Sequence, residues 1–350
     1  MQVGMDVRVL SVQRQRTGVA QYLLGLLQGH RRSQKQDIEL LGYSIESDRV
    51  GDLGIAIRVV GERRPIPWQS VLLPLHLARR PVAVWHGPAF SVPRALRIPR
   101  VVTIHDLAFL RMPETVNDDT ARYLHHVVPP SVRAASAVIV PSSEVKEDLL
   151  NWMPMIPADR IRVTPLGGDR LAHFAKSTSP ISEPYILHVG TLEPRKNLSL
   201  LLEAFARLEH LPHRLVLVGA QGWKNSALAP QIAALKSRVV VPGFVDDATL
   251  AQYYQHASLY VSVSRYEGYG LGIIEAAFLG VPVVATPTGV VRDISGTGLS
   301  RFDGHMASDL ADLVAHVLDR PEYPQLRLPT WTDTWADHVS VYQQVANQSL

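Results

Sequence analysis

Glu267-Gly268-Tyr269-Gly270-Leu271-Gly272-Ile273-Ile274-Glu275 follows a β-rich run, Ser258-Leu259-Tyr260-Val261-Ser262-Val263. It leads into a stretch where Leu271, Ile274, Ala277 and Phe278 recur at helical spacing. The order is strand, glycine-broken loop, helix, the repeating unit of a parallel α/β sheet. Glu267 falls in the loop, and Glu275 lies about one turn inside the helix on the side facing the loop. The first amides of a helix lack intrahelical acceptors, and the dipole favours an anion there. Gly270, Leu271 and Gly272 supply those amides. An anion at the amides with a carboxylate on either side suits a sugar nucleotide: phosphates on the N–H groups, sugar and ribose hydroxyls on the carboxylates.

Working outward, short β-branched runs alternate with helical patterns along the whole chain. Strands are expected at 3–10, 38–43, 82–85, 101–104 and 137–140, and then at 185–189, 215–218, 239–241, 259–263 and 282–285. A first helix is expected over 17–27, with Val19, Tyr22, Leu23, Leu26 and Leu27 on one face, and a second-half helix over 198–208. At 350 residues the chain exceeds one typical domain. Thr164-Pro165-Leu166-Gly167-Gly168-Asp169 and the Ser-, Thr- and Pro-rich stretch to residue 184 read as the linker. The partition is a Rossmann-like domain over 1–166, a linker over 167–184 and a second Rossmann-like domain over 185–330. Residues 331–350 read as a helix on Trp335, Val339, Tyr342 and Val345, long enough to cross back to the first domain.

Composition narrows the function. Hydrophobic residues make up 46% and charged ones 19%, as in an ordinary soluble protein with a substantial core. No apolar run reaches the ~18 residues that span a bilayer, and the first residues open in a strand-like pattern without a signal peptide. Cytoplasmic placement is the expectation. Cysteine is absent, which removes disulfides and thiolate metal sites. The net charge is +3, with 29 arginines and six lysines dispersed along the chain, too mild for a nucleic-acid binder but compatible with an anionic ligand or an acidic membrane surface. Trp68 to Arg80 is apolar and basic but interrupted by Pro74, so it reads either as a membrane-surface element or as buried packing.

Three further constellations stand at expected strand ends. Arg195-Lys196 follows the 185–189 strand and Gly190, just before a helix, where open α/β sheets bind ligands. A lysine there can neutralise a leaving diphosphate as a compact charge. Arg16-Thr17-Gly18-Val19 stands between the first strand and helix, where glycine lets backbone approach a ligand. His105-Asp106 ends the 101–104 strand, placed to hydrogen-bond a sugar hydroxyl. There is no GxGxxG, no Walker A loop and no GxSxG elbow. His125-His126 and His210-x-x-His213 lack companion ligands, so no metal site is expected.

Taken in order, these segments resemble the retaining glycosyltransferases of family 4, with the GT-B fold of two Rossmann-like domains facing across a cleft. The resemblance runs through Thr17-Gly18-Val19, Val102-Thr103-Ile104-His105-Asp106-Leu107, Pro141-Ser142-Ser143, Val163-Thr164-Pro165-Leu166-Gly167, Gly190-Thr191-Leu192-Glu193-Pro194-Arg195-Lys196-Asn197, Gly243-Phe244-Val245, Glu267-x7-Glu275 and Gly280-Val281-Pro282-Val283. It implies that Glu275 bonds the nucleotide ribose and Glu267 the donor-sugar hydroxyls. Lys196, with Arg195 beside it, would stabilise the leaving diphosphate, and His105 would contact the sugar. Gly18, Gly190, Val245 and the Gly270–Gly272 amides complete the donor set. No metal and no cofactor is implied; a nucleotide sugar, GDP-mannose favoured, is the substrate, and a glycan or lipid-linked glycan the acceptor. The "TLEPRKN" and "TIHDL" forms are most similar to bacterial mannosyl- and rhamnosyltransferases of surface-polysaccharide assembly, which implies work at the inner face of the membrane. Two positions depart from the pattern: Thr191 stands where many relatives carry arginine, and Gly272 where many carry proline. Another GT-B enzyme, an epimerase or phosphorylase, and a non-catalytic nucleotide-binding protein remain as alternatives.

Overall fold

The β-branched runs form two separate parallel sheets. The computed structural model describes residues 1–12, 17–33, 37–46, 53–61, 67–222 and 228–348. The chain divides into two compact units, one of residues 1–111, 118–166 and 330–350, the other of 112–117 and 167–329.

In the first unit seven strands lie in the order β3-β2-β1-β4-β5-β6-β7, every pair parallel. They are β1 (Gln2–Asp6), β2 (Glu39–Ser44), β3 (Ala56–Val59), β4 (Val84–Gly87), β5 (Arg100–Thr103), β6 (Ala137–Val140) and β7 (Ile161–Val163). The strand expected over 3–10 ends at Asp6, and Arg8–Val12 is helical. Asp6 causes the break: its Oδ1 accepts from the Arg8 amide at 3.0 Å, which turns the chain, and its carboxylate pairs with the Arg8 guanidinium at 2.7 Å. The expected first helix runs longer, over Gly18–Arg32.

The helix Trp331–Asn347 belongs to this unit and packs on Gly18–Arg32. Gly25 and Gly29, one turn apart, make the close approach possible. A methyl on Gly25 would meet Trp331 Cε2 at 2.1 Å, and one on Gly29 the Trp331 carbonyl oxygen at 2.0 Å. In an exposed helix Gly→Ala gains up to about 1 kcal/mol. Here the sign reverses: Gly29→Ala is expected to cost about 1–3 kcal/mol through overpacking, read as a lower urea midpoint; an unchanged or higher midpoint would refute the seam.

Between these helices and the sheet runs a buried polar chain. Tyr342 Oη lies 2.7 Å from His86 Nδ1, His86 Nε2 2.8 Å from Thr103 Oγ1, Thr103 Oγ1 3.0 Å from Tyr22 Oη, Tyr22 Oη 2.7 Å from His338 Nε2, and His338 Nδ1 2.7 Å from the Thr334 carbonyl. The terminal carbonyl only accepts, so one direction satisfies every contact, each donor passing its proton from Tyr342 toward Thr334. Burial lowers both histidines, His338 to about 4 and His86 well below its ordinary value. Their unfolded value lies near 6.5. The unfolded chain thus takes up protons first as pH falls from about 6.5 to 4, and stability declines in that window while staying level above it. For His338 alone the loss at pH 5 is about 2 kcal/mol, so the urea midpoint of the first unit should drop between pH 7.5 and 5; a flat profile would contradict the buried neutral pair.

In the second unit six parallel strands lie in the order β10-β9-β8-β11-β12-β13. They are β8 (Tyr185–Val189), β9 (Arg214–Val218), β10 (Val239–Gly243), β11 (Leu259–Ser262), β12 (Val283–Ala285) and β13 (Leu299–Arg301). The helix Leu198–Ala206 buries Leu198, Leu201, Leu202, Ala204 and Phe205 against Leu215, Leu217 and Leu259. Residues 167–184, read from sequence as a linker, cluster with this unit. The reason is Asp169–Leu171, a buried 3-10 turn held down by Arg170. In both sheets the winding direction reverses beside the first strand, between β1 and β4 and between β8 and β11. At such a switch point the loops leave in opposite directions and open a crevice at the carboxyl ends of the strands.

The segment Trp68 to Arg80 forms a π-helical turn, Trp68–Leu72, and the helix Leu73–Arg79. Trp68, Leu73 and Leu77 are buried, while Val71 and Leu75 face outward. Among the described residues no helix is long and apolar enough to cross a membrane.

Candidate active site

The switch point of the second sheet carries an ionic cluster. Leaving β8, the chain is anchored by buried Leu192, whose amide bonds Ala220, and then makes the short 3-10 helix Pro194–Lys196. Leaving β11, it passes through Ser264 to Glu267. The two loops are tied by the Arg265 amide, which donates to the Arg195 carbonyl at 2.9 Å. Glu267 is 5% exposed and fully engaged. Lys196 Nζ donates to its Oε1 at 2.6 Å, Ser264 Oγ to the same oxygen at 2.6 Å, and Arg195 Nη1 to Oε2 at 2.9 Å. Arg195 also spans Glu193, with Nη2 at 2.6 Å from Oε1, and the Tyr266 carbonyl at 2.8 Å.

Two cations and two carboxylates therefore balance in a buried pocket. Burial alone would raise the Glu267 carboxyl, but Lys196 and Arg195 override it and bring it down to about 2. The carboxylate is fixed in its charged form and held by donors that a ligand can also use.

Gly270, with φ +97°, turns the chain into the helix Leu271–Phe278. That conformation favours glycine. Gly289, at φ +56°, packs so closely that a methyl there would lie 2.5 Å from the Tyr269 carbonyl oxygen and 3.1 Å from Glu267 Cβ. Gly272 is crowded from below: a methyl would meet Tyr260 Oη at 2.4 Å. This accounts for glycine at a position where relatives were expected to carry proline.

Glu275 sits in a second cluster. Arg170 Nε donates to its Oε1 at 3.0 Å, and Tyr254 Oη to Oε2 at 3.3 Å, while Arg170 Nη1 lies 2.7 Å from Asp247. Burial raises the Glu275 carboxyl, and Arg170 and Tyr254 pull it partly back. A ribose would have to share or displace these partners. Tyr260 stands between the clusters, with the Glu267 and Glu275 charges both acting on it.

The structure thus brings Glu267, Lys196 and Arg195 into direct contact, with Gly190 beside Lys196. Val245 is half-buried in the turn after β10, next to exposed Phe244. Gly18 and His105 lie in the first unit. Gly18 opens its helix, exposed, with nothing among the described residues within 4 Å of an added methyl, and Arg16, two positions earlier, lies outside the described residues. His105 Nε2 donates to the Pro88 carbonyl at 2.6 Å, and its ring meets Tyr22 edge-on at 4.7 Å. That bond leaves Nδ1 as an acceptor, and burial lowers the imidazole, keeping it neutral. Among the described residues no group of His, Asp or Glu is placed to hold a metal ion.

Sequence reasoning passed over Glu193, Ser264, Arg170 and Tyr254 as site residues. None of the four left a signal: Glu193 is extended, but Arg195 already lies inside the Pro194–Lys196 3-10 helix, and only that turn brings the two side chains together.

Two family patterns match in succession, Glycosyltransferase Family 4 over residues 17–170 and Glycosyl transferases group 1 over 169–327. The chain belongs to the GT-B glycosyltransferases. The solved structure of Anabaena Alr3699/HepE in complex with UDP and glucose superposes with a TM-score of 0.71 at 19% identity, over 99% of both chains. O-antigen chain mannosyltransferase B of Escherichia coli is 29% identical over 249 residues, 67% of this chain and 64% of that protein. The serotype-specific mannosyltransferase WbdA of Escherichia coli is 27% identical over 257 residues, 66% of this chain and 31% of that protein. The chain therefore spans less than two thirds of the length of these curated relatives. Within the GT-B frame, the Arg195–Glu267–Lys196 cluster lies in the part matched by the group 1 pattern, as do Gly190, Val245 and Glu275.

Proposed function

We propose that the chain is a retaining, metal-independent glycosyltransferase. It moves a hexosyl group, mannose favoured and GDP-mannose the favoured donor, to a hydroxyl of a glycan or lipid-linked glycan at the inner face of the membrane. The observation that carries this reading is the buried cluster of Glu267 with Lys196 and Arg195 at the switch point of the second sheet. A diphosphate entering the crevice would draw Lys196 and Arg195 toward its oxygens and free Glu267 to accept hydroxyl hydrogen bonds from the sugar. The two cations, fixed before the substrate arrives, stabilise the charge that grows on the leaving diphosphate. They fill the part that a divalent ion plays elsewhere. The Gly270–Gly272 amides add donors at the helix start, and Glu275 would exchange a partner with the ribose. His105 Nδ1 would accept from the sugar. Relatives named mannosyltransferases support mannose over other hexoses.

The test is nucleotide release from a panel of sugar donors, GDP-mannose and UDP-glucose among them, with and without a lipid-linked glycan extract and with EDTA. Acceptor-dependent release that survives EDTA is the expected result. Release only with added Mg²⁺ or Mn²⁺ would overturn the metal-independent mechanism, and no release from any donor would overturn the transferase reading. Gly18 sharpens the test. Because a methyl there meets none of the described residues, Gly18→Ala should leave the melting temperature unchanged yet lower kcat/KM about tenfold, the effect of about 1.4 kcal/mol of lost close approach. Unchanged kinetics would remove Gly18 from the donor set.

A further inference from the structure

His188, in β8, is 1% exposed among Tyr185, Ile186 and Leu187 of the same strand. Its Nδ1 lies 2.9 Å from the Val261 carbonyl of β11. A carbonyl only accepts, so Nδ1 carries the proton and Nε2 is a bare lone pair. That Nε2 is buried and has no hydrogen-bond partner among the described residues. A buried polar atom left unpaired is costly, and native structures rarely retain one without use.

Its surroundings show the use. A methyl on Gly190 would lie 3.5 Å from His188 Nε2, 3.3 Å from Lys196 Cε and 3.8 Å from Lys196 Nζ. The lone pair and the ammonium look onto the same small hollow above Gly190. Burial, with the Lys196 charge adding to it, lowers the imidazole to about 4, so the lone pair is present at neutral pH. The ammonium has three donors, of which Glu267 takes one. An imidazole can hold an ammonium without cancelling its charge, which a carboxylate could not.

We propose that His188 is a positioning residue for Lys196, its Nε2 accepting a hydrogen bond from the ammonium as that group turns from Glu267 to the donor diphosphate. Lys196 then stays over Gly190 instead of following the phosphates freely. The proposal rests on the transferase reading above.

Three variants test it. His188→Asn keeps an amide N–H for Val261 but has no acceptor where Nε2 stands. His188→Gln places an amide oxygen near the Nε2 position and gives up the Val261 bond. His188→Phe keeps volume alone. Positioning predicts that kcat with the best sugar donor falls about tenfold in Asn and Phe while KM moves less than twofold, and that Gln recovers most of the loss. A purely structural histidine predicts the reverse order, Asn near wild type and Gln impaired in step with its melting temperature. Asn above Gln in a competent wild-type background overturns the His188 assignment alone. A wild type inert toward every donor overturns the transferase reading and this proposal with it.

Discussion

Lys196→Ala is expected to lower kcat for sugar transfer by about 10²–10³-fold, the scale for removing one fixed group that meets developing charge. The fold should survive. Glu267 keeps the Arg195 guanidinium at 2.9 Å and the Ser264 hydroxyl at 2.6 Å, so its buried charge is not orphaned. Glu267 will nevertheless titrate higher, because Lys196 is the strongest of the influences holding its carboxyl down to about 2. A carboxyl depressed in the folded state stabilises above its unfolded value near 4.3 and loses that contribution as pH falls toward 2. In the variant this acid-side contribution shrinks. Released nucleotide over time measures the first effect and urea midpoints at pH 7 and 3 the second. Turnover within twofold of wild type would remove Lys196 from the chemistry.

Arg170→Ala is expected to destabilise the second unit by roughly 3–5 kcal/mol, because it strands a buried carboxylate. Glu275 is 5% exposed, and among the described residues only the longer Tyr254 contact of 3.3 Å remains to it. Burial already raises the Glu275 carboxyl, and the raise grows without the guanidinium. A carboxyl raised in the folded state gains stability as pH falls, so the gap between variant and wild type should narrow in acid. Combining Arg170→Ala with Glu275→Leu should recover much of the loss, because no charge is then left buried alone. Urea unfolding of the three proteins decides it. A single variant as stable as wild type would show that the pair contributes little.

The same pair marks where the sequence stopped being readable. Glu275 was legible from helical spacing, and Arg170 was not, because 105 positions separate them and the stretch around Arg170 has the Gly-rich look of a linker. Central strands were legible almost to the residue: 137–140 and 185–189 are buried β-branched or aromatic runs. Of the four edge strands only β10 was, and β3, β7 and β13 were not, since Ala56–Val59, Ile161–Val163 and Leu299–Arg301 are short and largely half-exposed or exposed. An edge strand has one pairing partner and little apolar surface to advertise. Lys196 and Glu267 could be placed at neighbouring strand ends but not in contact. Only the parallel register of β8 with β11 brings the two loops together.

Trp331, Trp335 and Tyr342, all essentially buried, belong to the core of a unit whose other members come from residues 1–111 and 118–166. On the ribosome those earlier residues emerge first, and 163 more, from 167 to 329, must be made before the closing helix exists. At about 5–20 residues per second that interval is on the order of ten seconds or more. Throughout it, Gly25 and Gly29 face no partner, and the polar chain from His86 to Tyr22 lacks the three links that Tyr342, His338 and Thr334 supply. The second unit, contiguous but for residues 112–117, can finish while the first is still open. The order of completion is thus the reverse of the order of synthesis, and a nascent chain arrested near residue 320 would expose to chaperones and proteases a surface that the full-length protein never shows.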